Sequence, residues 1–190
     1  AQIFFLEDKE LPLVEATVYV KAGIVDIDED QTGLEALLEE MLIKGGTENY
    51  APEELLTLLD EKAIEITASI DEEVSSLTLS VMRDDFAQGM ALMAEILSRP
   101  RFDANVLDVI KAQQLAQLQR ENEDAQKVAM REAIAWHFNG HPYGRNPMHG
   151  LETIPTLAID DMRKFLEAFF VPANMVVAVS GDISLEDSLS

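Results

Sequence analysis

A chain of 190 residues that is 47% hydrophobic can bury a sizeable core as one domain. Its net charge of −22, from 36 acidic and 14 basic side chains, argues against a nucleic-acid or anionic-membrane binder, which needs Lys and Arg to neutralise phosphates. With no cysteine it has neither disulfides nor thiolate metal sites, and no run reaches the roughly 18 consecutive apolar residues of a membrane-spanning helix.

Residues 2–6 (Gln-Ile-Phe-Phe-Leu) read as a short strand. After Pro12, residues 13–23 alternate: Val14, Ala16, Val18 and Val20 fall on one face, Glu15, Thr17, Tyr19 and Lys21 on the other. That period of two marks a half-buried strand. Asp26, Asp28 and Asp30 hint at a calcium loop. The pattern fails where Gln31 replaces the required glycine and Leu37 the bidentate glutamate. Thr32 with Glu35 predicts a capping box opening a helix that runs to about Lys44 and stops at Gly45-Gly46. Its apolar stripe is Leu34, Leu37, Leu38, Met41 and Leu42.

Pro52 starts a second helix, to about Glu61. Strands follow at about 63–70 and 73–82, the second alternating Leu77, Leu79 and Val81 with Ser76, Thr78 and Ser80. A helix over about 84–98 carries Phe86, Met90, Met93 and Leu97, the methionines as core filling. Asp103 caps a long helix to about Asn122, and another covers 128–138 with Trp136 as a core anchor. Residues 139–150 form a loop rich in Gly, Pro and His, before a helix at about 157–170 and a strand at 174–180. Elements come in groups, so the class is α+β: a mainly antiparallel sheet with helices packed on one side. One domain over 1–184 is expected, with 185–190 beginning a connection to a further domain.

The run Gly33-Leu34-Glu35-Ala36-Leu37-Leu38-Glu39-Glu40-Met41-Leu42-Ile43-Lys44-Gly45-Gly46-Thr47 resembles the signature helix of the M16 (insulinase-like, inverzincin) zinc peptidases. His141-Pro142-Tyr143-Gly144-Arg145 is similar to a second hallmark of that family. Pro172-x-Asn174 leading into Val177-x-Val179-x-Gly181-Asp182 is similar to a third. The resemblance covers essentially the whole chain, in order, and implies the LuxS/MPP-like α+β domain of that family.

In active members the helix carries His-x-x-Glu-His. Two histidines at i and i+4 grip zinc, the glutamate deprotonates the metal-bound water, and a distal glutamate completes the ligands. The resemblance puts Ala36 and Glu40 at the histidine positions, Glu39 at the general base and Gln117 at the distal ligand. It implies a catalytically degenerate domain with no zinc and no peptidase activity of its own.

Glu35, Glu39 and Glu40 also read as the solvated face of an amphipathic helix, which is the simpler expectation. An active enzyme with unorthodox ligands would draw on Glu39, Glu40 and an acid such as Glu121. Such oxygen-only ligands would favour Mg, Ca or Mn. His137, His141 and His149 cluster in sequence, but Gly140 and Pro142 break the helix that would align the first two. A packed turn is expected there, with Arg145 bonding a carboxylate or a backbone carbonyl.

The expected role is a non-catalytic part of a peptidase assembly. Its partners would be a catalytic M16-type subunit or further M16-like domains, with unfolded or basic peptides as ligands. A purely structural assembly module is the other reading. Bacterial relatives of this pattern suggest the cell envelope.

Overall fold

The computed structural model describes residues 1–188. Five strands, β1 (Gln2–Glu7), β2 (Leu13–Val20), β3 (Glu65–Ile70), β4 (Ser75–Met82) and β5 (Met175–Gly181), form one sheet in the order β1-β5-β2-β4-β3. Only β1 and β5 run parallel; the other three pairings are antiparallel. The helices are α1 (Leu34–Lys44), α2 (Pro52–Glu61), α3 (Phe86–Ser98) and α4 (Ala104–Glu123). They continue with α5 (Ala125–His137), α6 (Gly150–Thr153), α7 (Ile159–Phe169) and α8 (Leu185–Ser188).

The period-two reading of β2 places its residues correctly. Register sets Val14 beside Val81, Ala16 beside Leu79 and Val18 beside both Leu77 and Val177, so one sheet face is aliphatic. Against that face pack Leu37, Leu38 and Met41 of α1, Met93 and Ile96 of α3, and Met162 and Phe165 of α7, all buried. Each such side chain contributes about 2 kcal/mol of apolar transfer. Gly89 of α3 permits the contact, because a Cβ there would stand 2.8 Å from Leu79 Cδ1. Met90 and Met93 fill the core as read from sequence, Met93 buried and Met90 packed against it. On the opposite face Thr17 and Thr78 join hydroxyls at 3.0 Å, and Tyr19, Phe4 and Leu6 stay exposed.

Three local readings are corrected. The helix α1 opens on Gly33, whose φ of 97° favours glycine; Glu35 accepts from the Gly33 N–H, while the Thr32 hydroxyl donates to the Glu29 carbonyl. The Thr32–Glu35 box therefore does not form. Helix α5 starts three residues earlier than read, because the Asp124 carboxylate caps both Gln126 N and Lys127 N. Trp136 is not a core anchor: it is 83% exposed, since it lies on the outward face of a helix with no buried residue. The loop at 139–150 holds two 3-10 turns, 142–144 and 147–149. Of the expected connection, 185–188 form a helical turn and 189–190 lie outside the described residues.

Candidate functional site

Helix α1 is held on both sides, its apolar stripe in the core and its N-terminus under Ile154, whose Cγ1 lies 2.5 Å from where a Cβ of Gly33 would stand. Ala36 and Glu40, four residues apart, share a half-buried face, and α4 packs against α1. Ala36 presents only a methyl group. Glu40 pairs with Lys44 one turn on. Gln117 is exposed on α4; its amide donates to Glu121 at 2.7 Å and its carbonyl accepts from Arg120 at 2.9 Å.

Glu39 reaches sideways to the sheet. Its carboxylate accepts from the Ile70 N–H at 2.5 Å. Asp71 N donates to Val74 O across the β3–β4 turn, so in this antiparallel ladder Ile66, Ala68 and Ile70 turn their backbone groups outward. Strand β3 is the last of the sheet, and Glu39 occupies one donor of its open edge. Burial pushes the Glu39 carboxyl up, the Ile70 bond pulls it back, and Glu35, Asp71 and Glu40 push it up further. Glu35 is likewise raised by burial, against the pull of the Gly33 N–H and the Arg145 guanidinium. Glu35 and Glu39 are thus not a solvated face: both are half-buried and hydrogen-bonded.

Beside Glu35 opens a cavity of about 490 Å³ between the start of α1, the end of α4, the inward side of α5 and the turns at 142–149. Lys127, Met130, Arg131 and Ile134, at i, i+3, i+4 and i+7, line it from α5. Lys127 Nζ meets Glu121 at 2.9 Å and holds that carboxyl below its ordinary range. Arg145 donates to the Ile24 carbonyl at 3.1 Å, the carbonyl contact expected of it. Sequence reading missed this face, although the spacing of its four residues was visible; nothing in the string says that the helix stands off the core.

The three histidines do not converge. His137 stacks edge-on with Phe138, His141 Nδ1 accepts from Tyr143 N, and His149 faces Glu29 at 3.3 Å. Tyr143 donates to Glu73 at 2.6 Å, which pushes its phenol up. Asp26 accepts from Gly23 N. Among the described residues no group of three or more His, Asp and Glu is placed to hold a metal ion.

With this sheet, helix and turn order in place, residues 3–149 match the sequence profile of the insulinase family, peptidase family M16. The chain belongs to that family. It is 24% identical over 187 residues to the non-peptidase homolog YmxG of Helicobacter pylori, covering 98% of this chain and 43% of that protein. A peptidase M16 inactive domain from Pseudomonas fluorescens superposes with a TM-score of 0.90 at 23% identity, over 98% of this chain and 45% of that one. The first half of the periplasmic protease PqqL from Escherichia coli gives 0.84 at 17% identity, over 98% and 41%. The chain therefore spans less than half the length of these M16 relatives. No helix among the described residues is long and apolar enough to cross a membrane.

Proposed function

We propose that this M16 domain is a non-catalytic half that works beside another M16-like half, forming part of a chamber and holding peptide rather than cutting it. The observation that carries this reading is the donor set at Ala36, Glu40 and Gln117. Zinc in an M16 peptidase needs three protein ligands. Here one position has no donor, one carboxylate is paired with Lys44, and one is an amide tied to Glu121 and Arg120. The residues do not fit the ion. Without it, Glu39 has no acidified water to deprotonate, and it serves instead as an acceptor for β3.

Unorthodox metal ligation finds no support, because Glu39, Glu40 and Glu121 point to three different partners. Peptide capture would use the open edge of β3, where added backbone bonds give affinity with little sequence preference. The inactive and non-peptidase names of the similar proteins agree with this role, and the periplasmic neighbour supports a bacterial envelope location.

The test is to combine the protein with a zinc-bearing M16 subunit from the same cell. Stable association with altered peptide turnover is expected. Absence of both contradicts the reading, and assembly without any peptide effect shifts it to a structural module.

A further inference from the structure

Helix α5 has 13 residues and buries none, yet it presents Met130 and Ile134 toward the cavity beside Glu35. Met130 is 61% and Ile134 is 41% exposed, so apolar surface faces empty space instead of a neighbour. Between them sits Arg131, whose side chain is only 12% exposed. Its Nη2 donates to Asn122 Oδ1 at 3.0 Å, and its Nε is buried with no hydrogen-bond partner. The nearest carboxylate, that of the adjacent Glu132, is 4.0 Å away.

The acids of the cavity wall are differently placed. Glu121 already accepts from Lys127 and Gln117, and Glu35 accepts from Gly33. Glu72 is exposed at the rim. Arg131 also acts on the Glu121 carboxylate through its charge, but its Nε still lacks an acceptor. A guanidinium is planar and offers paired donors that match a carboxylate, and the match strengthens where water is excluded. The apolar wall of Met130, Ile134 and Ile24 asks for an apolar body next to that charge.

We infer that this cavity is a carboxylate-recognition pocket centred on Arg131, taking an acidic group attached to an apolar body, from a bound peptide or from a small organic acid. In its peptide form the inference rests on the peptide-holding reading and gives it a selectivity: an acidic side chain is preferred here, although the protein as a whole carries a net charge of −22.

Two probes separate the sources. The first is a pair of labelled apolar peptides that differ only by Glu or Gln at one central position. The second is 4-phenylbutyrate against 4-phenylbutanol. Both are titrated into the intact protein and its R131Q variant, with K62Q as a control that changes net charge equally at a remote surface pair. Arg131 lies on a helix without buried residues, so R131Q should fold, as a thermal melt checks. A carboxylate preference of roughly tenfold, the scale of one charge-assisted hydrogen bond, is expected in at least one probe pair. R131Q should abolish it and K62Q should leave it. If neither pair shows a preference that R131Q removes, the pocket assignment is overturned. If in that case both peptides still bind, and equally, the pocket falls while the peptide-holding reading stands. Binding of phenylbutyrate alone, lost in R131Q, supports the pocket and removes the peptide from it.

Discussion

Helices α1 and α5 are close in length, 11 and 13 residues, and opposite in circumstance. Helix α1 buries Leu34, Leu37, Leu38, Met41 and Leu42; α5 buries nothing. In the M16 resemblance α1 is the helix of catalysis, yet here its polar residues are tied to the protein itself: Glu35 to Gly33, Glu39 to Ile70, Glu40 to Lys44. On α5, by contrast, Arg131 Nε is buried without a hydrogen-bond partner, and Met130 and Ile134 are exposed. Helix α1 thus acts as scaffold, and the exposed apolar side chains and the unpaired Arg131 Nε lie across the cavity from it.

The largest expected effect breaks the scaffold half of that contrast. Leu38→Ala, at a fully buried position, should lower unfolding free energy by about 3 kcal/mol in urea titrations, whereas Met130→Ala should change it by less than about 0.5 kcal/mol. Equal losses would mean that α5 is as much a part of the core as α1.

Next in size is Glu39→Ala, which strips the Ile70 N–H of its acceptor at the sheet edge. A loss of about 1 kcal/mol is expected, together with faster hydrogen exchange at Ile70 by an order of magnitude. Unchanged exchange there would show that Glu39 does not guard the edge.

A smaller effect concerns pH. Burial raises the folded-state Glu35 carboxyl, so wild-type stability should fall as pH rises from the ordinary carboxylate range through the raised value. Glu35→Gln removes that slope while keeping an acceptor for Gly33. The variant should melt higher than wild type by about 2 °C or less at pH 8, with the gain vanishing toward pH 4. A gain that grows toward acid would reverse the sign and refute the burial argument. The smallest effect is at Trp136: its fluorescence should be freely quenched by acrylamide, and Trp136→Ala should leave the melt within about 0.5 kcal/mol.

Strand alternation and helix stripes made the sheet, the core face and α1 legible, because both periods are set by which side of an element meets the interior. Trp136 shows where that logic stops: size and aromaticity suggest burial, but only tertiary contact decides whether α5 has anything to lie against. The Thr32 box failed for a local reason, since Gly33 takes a left-handed turn that gives Glu35 a nearer donor. The residue types at Ala36, Glu40 and Gln117, which the resemblance aligns with zinc ligands, were readable in the string. The new partner of Glu39 was not, because Ile70 is 31 residues away and meets it only through the fold.

The central claim is that the M16 helix here is structural and metal-free. Elemental analysis by mass spectrometry on the untagged protein, with and without added zinc, beside cleavage of a mixed peptide pool, tests it most directly. No bound zinc and no cleavage is the predicted result. Stoichiometric zinc with chelator-sensitive cleavage would contradict the assignment of Ala36, Glu40 and Gln117, and His137 and His141 would be the first residues to mutate.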